Sequence, residues 1–341
     1  MKNKLHWGII GCGQIALDKS LPALLAVPDA QLVALSDPLA ERRALARGIT
    51  GELPVKEYSD YRDLLANPDI DAVYIALPTG MHAEAVLAAA KAKKAILCEK
   101  PLGRSAAETQ AMVQAASDNG VALMTAYMSR FGDTYQKTKE LLAEGAIGQV
   151  TFVYANFSYP ALGPYPPGAP GGWRWTDPDG GGPLLDIGIY LAFGLREILG
   201  DRIARLGAFS CDTVALKVPG LPNRDTTVAW FQTASGIPGA FAATFAHAEC
   251  RIIFYGTDGQ LDLSKCFSQR PTGHLVCTGK RPFELITEVS ETRPHFTNYQ
   301  REFAHFTQAL LTNTDFFPTP EETLADALLL DALKAGGEVA L

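Results

Sequence analysis

The chain of 341 residues has no uninterrupted apolar run near the roughly 18 residues that a membrane-crossing helix needs. No membrane partner is expected. Its start, Met1-Lys2-Asn3-Lys4, leads into a short strand-like segment rather than an apolar signal core, which makes the cytoplasm the expected location. Clustered positive charge is also missing. With 30 basic against 37 acidic residues the net charge is −7, so a phosphate backbone finds little to attract it and no nucleic-acid partner is expected. Cysteine is sparse: Cys12, Cys98, Cys211, Cys250, Cys266 and Cys277 form no CxxC pair and read as reduced thiols without disulfides. The six histidines include no i, i+4 pair and none stands near a cysteine at zinc-site spacing, so no metal site is expected.

What is present is an ordinary globular composition, 47% apolar and 20% charged, long enough for about two domains. Over the first 125 or so residues, compact apolar runs at 5–10, 31–36, 71–77, 95–98 and 121–126 alternate with helical patterns at 15–27, 39–47, 61–66, 82–93 and 106–119. Several of the runs carry too little polar alternation for half-exposed strands, and the spacing predicts parallel crossovers and a doubly wound sheet. Ser105 with Glu108 three residues on forms a capping box for the last helix.

After a helix at 134–144, the segments 149–159, 204–212, 226–233, 239–248 and 251–255 read as longer strands joined by Gly/Pro turns. Residues 160–172, rich in proline and glycine, read as a surface loop near the site, and two helices at 295–311 and 320–334 are expected to close the chain. The fold class is therefore α/β: a Rossmann-type doubly wound parallel sheet over 1–125, then an α/β domain with an open, largely antiparallel sheet over 126–341.

The first strand runs into Gly11-Cys12-Gly13-Gln14-Ile15-Ala16, a GxGxxA turn that opens a helix. The first glycine permits the turn, the second lets backbone approach a pyrophosphate, and Ala16 allows close packing. Gly11, Gly13, Gln14, Ile15 and Ala16 are thus candidate dinucleotide contacts. The second strand ends in Ser36-Asp37, where a carboxylate would bind ribose and repel a 2′-phosphate. That favours NAD over NADP, although Ser36, Arg42 and Arg43 leave NADP open. Leu77, Pro78, Thr79 and His82 leave another strand at the carboxyl edge where cofactors sit, and His82 reads either as a functional group or as a helix-start histidine.

Glu99-Lys100-Pro101 places an ammonium at the same edge, followed by a candidate cis peptide bond. Alone it also reads as a surface lysine before a turn. Gly180-Gly181-Gly182-Pro183-Leu184-Leu185-Asp186-Ile187-Gly188-Ile189-Tyr190 sets a carboxylate and a phenol four residues apart, on one helix face. Arg130, Tyr159, Trp173 and Arg174 are candidates for a polyol pocket, since guanidinium donors and aromatic faces suit hydroxyl-rich ligands; ordinary packing explains each equally well.

Together these motifs resemble the Gfo/Idh/MocA oxidoreductase family across essentially the whole chain. The likeness rests on 11–16, 77–82, 99–101, Ala146-Ile147-Gly148, 180–190 and a helix containing Asn298-Tyr299-Gln300-Arg301-Glu302-Phe303. The resemblance implies hydride transfer between a nicotinamide and a carbinol carbon of a sugar or cyclic polyol. It assigns Lys100 to the lysine of the EKP motif, Asp186 to substrate binding and Tyr190 to acid/base chemistry. It also implies a homodimer or homotetramer formed through the C-terminal sheet. Many relatives carry histidine in place of Tyr190; tyrosine resembles the glucose-fructose oxidoreductase and dihydrodiol dehydrogenase branch, whose frequent use of NADP pulls against the reading of Asp37. A free phenol titrates near 10, and a lysine ammonium within a few ångströms lowers that by about one unit or more, so Lys100 would serve Tyr190. Two alternatives stay open: a cofactor-binding regulator without turnover, and a reductase of a dihydrodiol or tetrapyrrole.

Overall fold

A computed structural model describes residues 4–169, 171–213, 222, 224–267 and 271–340; residues 1–3 and Pro170, on which the expected start and loop partly fall, lie outside the described residues. The chain divides into two compact units, one made of Met1–Met128 with Arg293–Leu324, the other of Ser129–Thr292 with Ala325–Leu341.

In the first unit β1 (Leu5–Ile10), β2 (Ala30–Ser36), β3 (Lys56–Tyr58), β4 (Ala72–Ile75), β5 (Ala95–Glu99) and β6 (Leu123–Ala126) form a wholly parallel sheet in the order β3-β2-β1-β4-β5-β6. The apolar runs are buried on both faces, as their composition requires: every residue of β4 and β6 is buried. The short β3 was not among the expected strands, because Lys-Glu-Tyr at a sheet edge carries no apolar run. Helices α1 (Leu21–Leu25), α2 (Ala40–Thr50), α3 (Tyr61–Leu65), α4 (His82–Lys91) and α5 (Ala106–Asn119) fill the crossovers. The Oγ of Ser105 accepts from the Glu108 amide at 3.2 Å, while the Glu108 carboxylate reaches back to the Arg104 amide at 2.6 Å, one residue beyond the usual box.

In the second unit the elements are α6 (Asp133–Ala143), β7 (Val150–Ser158), α7 (Trp173–Thr176), α8 (Ile189–Leu199), β8 (Ile203–Cys211), β9 (Thr226–Thr233), β10 (Pro238–Thr244), β11 (Glu249–Gly256), β12 (Gly259–Ser264), β13 (Gly273–Cys277) and β14 (Phe283–Thr287). The helix α9 (Thr297–Thr312) returns to the first unit, α10 (Pro320–Ala335) follows, and β15 (Gly337–Ala340) belongs to the second. The expectation that two helices end the chain is therefore corrected: Gly337–Ala340 forms an edge strand through pairing with β8, a tertiary contact that four residues cannot announce. The nine strands run in the order β14-β13-β12-β11-β7-β10-β9-β8-β15, and only β7 and β10 pair in parallel.

Register explains how that sheet divides into two faces. Phe231, Phe241, Val153, Ile252, Phe254, Leu261 and Leu275 are buried on one side. The partners that alternate with them place Phe209, Trp230, Phe152, Tyr255 and Ile286 together on the other, all exposed. In the first unit, α9 covers β1 and β4: the Trp7 ring meets Phe303 at 5.3 Å, Tyr74 meets Phe303 at 5.1 Å, and the Trp7 indole donates to Thr307 at 3.2 Å. Among the described residues no helix is long and apolar enough to cross a membrane, and no group of three metal-ligating side chains gathers.

Candidate cofactor and substrate sites

At the end of β1, Gly11 adopts φ +94°, and a Cβ there would lie 2.6 Å from the carbonyl oxygen of Ala76, so neither its angle nor its surroundings admit a side chain. Its amide donates to the Ser36 carbonyl at 2.8 Å. Gly13 faces open space: a Cβ there would meet only the Arg42 guanidinium, at 4.0 Å. Gln14 is exposed, Ile15 half-buried and Ala16 buried, and the chain enters a π-helical turn at Ala16–Ser20. This bare backbone ahead of a helical turn fits a dinucleotide pyrophosphate.

Asp37 is 4% exposed, and both its oxygens are engaged. One accepts from the Cys12 amide and the other from the Leu39 amide, each at 2.9 Å, so the carboxylate clamps the glycine turn to the end of β2. Arg42 stands 3.9 Å from it and a third exposed, while Arg43 is tied to the Asp37 carbonyl at 2.6 Å. Burial, reinforced by the charge of Asp37, pushes the Cys12 thiol up to about 12, leaving it protonated.

Beyond β4, Pro78 is exposed and Thr79 buried in a short turn closed by the Met81 amide donating to the Pro78 carbonyl at 2.8 Å. The His82 ring is buried among backbone carbonyls: Nδ1 lies 3.0 Å from that of Pro101 and 3.2 Å from that of Leu102, and Nε2 lies 2.9 Å from that of Leu77. Burial is the largest influence on its pKa and lowers it, and the ring packs between the loop after β4 and the loop after β5, the neutral form donating to one of them. The Lys100-Pro101 bond is cis. Glu99 accepts the Tyr74 hydroxyl at 2.5 Å, and the Tyr74 oxygen accepts from Ser20 at 2.8 Å. Sequence reasoning named Glu302 only within a motif; it is 0% exposed on α9, with no hydrogen-bond partner at either carboxyl oxygen, and Asn298, one turn earlier, leaves its side-chain oxygen unpartnered. Burial, and then the charge of Glu99, pushes its pKa well up.

In the second unit the residues 180–190 form a π-helical turn at Leu184–Gly188 leading into α8, a wider turn than the regular helix expected. Asp186 sits in that turn, 5% exposed, and accepts from the Tyr159 hydroxyl at 2.5 Å and from Arg174 Nε at 2.9 Å. The Arg174 guanidinium lies over the rings of Tyr165, at 4.3 Å, and Trp173, at 4.6 Å. Four sequence candidates, Tyr159, Trp173, Arg174 and Asp186, thus form one cluster, in which Asp186 is buried and the other three are half-buried. Tyr165 joins them from the Pro/Gly-rich loop, where no periodicity marks it. Burial and the adjacent Asp186 charge push the Tyr159 phenol up, fixing it as a protonated donor. Burial opposes the charge of Arg174, but Asp186 outweighs that and holds the guanidinium protonated.

Tyr190 is 6% exposed, its ring lying 5.4 Å from Phe157, 6.0 Å from Phe193 and 5.5 Å from Phe267. Arg130 belongs to a different cluster, 3.2 Å from Glu197, which also receives Lys139 at 2.6 Å and the Tyr135 hydroxyl at 2.9 Å.

Residues 5–127 match the family model described as an oxidoreductase family with an NAD-binding Rossmann fold, and residues 135–262 match the GFO/IDH/MocA C-terminal domain. The chain is 32% identical over 338 residues to the D-xylose 1-dehydrogenase (NADP(+)) 2 of Haloferax volcanii, covering 98% of each. It is 30% identical over 346 residues to the trans-1,2-dihydrobenzene-1,2-diol dehydrogenase of Mus musculus, covering 98% of this chain and 97% of the relative. Among solved structures, a 3-ketoreductase from Actinomadura kijaniata in complex with NADP and TDP-benzene superposes with a TM-score of 0.82 at 27% identity, over 98% of both chains. An aldose-aldose oxidoreductase from Caulobacter crescentus shares the fold, with a TM-score of 0.86 at 24% identity, over 99% of this chain and 100% of that one.

Proposed function

From the premise that the chain belongs to the Gfo/Idh/MocA oxidoreductase family, we propose that it transfers hydride between NAD(P) and a carbinol or carbonyl carbon of a sugar or related cyclic polyol. The observation that carries this reading is Asp186, buried and bonded by Arg174 and Tyr159, in the turn that leads into the helix bearing Tyr190. A buried carboxylate and a half-buried guanidinium in one cluster offer acceptor and donor to vicinal hydroxyls, which orients a polyol. When bound, the nicotinamide takes up or gives the hydride at its C4. Tyr190 removes the hydroxyl proton in oxidation and returns it in reduction, and the Lys100 ammonium favours its phenolate. Tyr159 does not suit that task, because burial and the adjacent Asp186 keep the proton on its phenol.

Gly11, Gly13, Gln14, Ile15 and Ala16 would hold the pyrophosphate, with Leu77, Pro78, Thr79 and Glu99 bordering the cofactor and His82 fixing their loops. Arg42 beside the Asp37 carboxylate offers a 2′-phosphate a cationic partner, so NADP is a good fit, while each Asp37 oxygen, bonded to one amide, keeps a lone pair for a ribose hydroxyl. The relatives named NADP-dependent support the same choice. The exposed aromatic face of the nine-stranded sheet suits a second copy of the chain, giving a dimer or tetramer. The free cysteines suit the reducing cytoplasm.

The test is a panel of aldoses, ketoses, inositols and dihydrodiols with each cofactor, read at the nicotinamide absorbance band. Turnover of a sugar or cyclitol supports the reading. Turnover restricted to dihydrodiols redirects it, and cofactor binding without turnover of any member overturns it.

A further inference from the structure

Cys250 and Cys266 stand 16 positions apart in the sequence, yet their Sγ atoms lie 3.7 Å apart. The approach has a local cause. β11 and β12 pair from Gly256↔Gly259 to Arg251↔Ser264, after which the Lys265 amide donates to the Cys250 carbonyl at 2.7 Å. Lys265 then takes φ +58°, a left-handed conformation, and turns the chain so that Cys266 comes over Cys250. Both belong to the sheet's covered side, where Cys250 pairs with Phe157. Closing a disulfide asks the sulfurs to approach to about 2.05 Å, a shift on the order of 2 Å in side chains already in contact.

The two thiols are not equivalent. Cys266 is buried, whereas Cys250 is partly exposed, within reach of a soluble disulfide, and its sulfur accepts the Phe267 amide at 3.3 Å. Phe267 directly follows Cys266 in the chain, and its ring is packed 5.6 Å from Phe157, 5.5 Å from Tyr190 and 6.3 Å from Phe193. A Cβ on Gly194 of α8 would stand only 3.0 Å from the tip of that ring, so Phe267 has no slack against the helix that carries Tyr190.

We propose that Cys250 and Cys266 are a redox-responsive dithiol, closed to a disulfide by a small soluble disulfide of the glutathione class, and that closure draws Phe267 away from Tyr190 and lowers turnover. In the first step the Cys250 thiolate attacks the small disulfide, forming a mixed disulfide and expelling one thiol. In the second, the Cys266 sulfur attacks Cys250 Sγ, and its proton leaves with the second thiol. Two protein thiols are oxidised and one small disulfide is reduced to two thiols. The chemistry of the pair stands without the proposed activity; the effect on turnover rests on the role given to Tyr190.

The protein would be equilibrated with oxidised glutathione, digested under acid quench and mapped by mass spectrometry, with thermal midpoints recorded for each variant. The expected result is a Cys250–Cys266 cross-link without retained glutathione in the native chain, and one glutathione on Cys250 in the Cys266→Ser variant. Linkages that avoid this pair, or an unreacted pair while Cys211 is modified, overturn the dithiol whether or not a substrate has been found. With a substrate in hand, oxidation should lower kcat several-fold, reversibly with a dithiol reductant, and leave Cys250→Ser at its basal rate. A quantitative cross-link with unchanged kcat overturns the coupling to Tyr190.

Discussion

Replacing Glu302 by glutamine should make the protein more resistant to unfolding at alkaline pH while changing little under mild acid. The native carboxyl is fully buried, has no hydrogen-bond partner at either oxygen, and is held protonated by burial and by the charge of Glu99. Its folded pKa thus lies above its unfolded one, near about 4.3. Between those two values the native state keeps a proton that the unfolded chain has lost, so stability falls as pH rises through the window, by at most about 1.4 kcal/mol per pH unit. Glutamine fills the same space, has no proton to lose and removes that slope. For a folding unit of about 160 residues, ~1 kcal/mol corresponds to roughly 2–4 °C, so the variant's midpoint should gain about 3–5 °C on the native one for each unit of pH across the window. Differential scanning calorimetry at matched ionic strength between about pH 5 and pH 8 measures the difference. Parallel midpoint curves for the two proteins would refute the reasoning, since they would mean that Glu302 releases its proton equally in both states.

Lys100→Ala should lower turnover by about 100-fold or more while fluorescence titration shows cofactor affinity largely kept, the scale of a lost acid/base assembly. Arg42→Ala should cost the efficiency with NADP about tenfold or more and leave NAD nearly untouched, because a charge-assisted bond to a 2′-phosphate contributes about 1.5–3 kcal/mol; an unchanged ratio of the two efficiencies counts against it. Trp230→Asp, on the exposed sheet face, should shift sedimentation toward the monomer without lowering the thermal midpoint of the subunit by more than a few degrees.

The parallel sheet was legible because strands such as Ala72–Ile75 are continuously apolar, and its crossover pattern follows from their spacing alone. The antiparallel sheet was legible only where strands were long. Gly259–Ser264 and Gly273–Cys277 each turn just two side chains inward, Leu261 with Leu263 and Leu275 with Cys277, too few repeats to stand out from a loop. At the site, Asp186, Arg174 and Tyr159 could each be named from residue type and neighbourhood, but the bonds that gather them run across 27 positions and an irregular loop. Asp37 shows the opposite limit. Its place in the sequence suggested a ribose contact, but that its carboxylate also accepts from the backbone of Cys12 and Leu39 is geometry that no spacing rule contains. The Cys250–Cys266 approach was invisible because it depends on a left-handed lysine rather than on a glycine.

The assignment of Arg293–Leu324 to the nucleotide-type unit has a practical corollary for protein engineering. A fragment ending at Met128 would strip the aromatic lid from Trp7 and Tyr74, leaving large rings in water and a lone buried glutamate's helix elsewhere. Exchanging this unit with that of another dehydrogenase therefore calls for two grafts transplanted as a pair, and a single-junction chimera would inherit mismatched halves of one core.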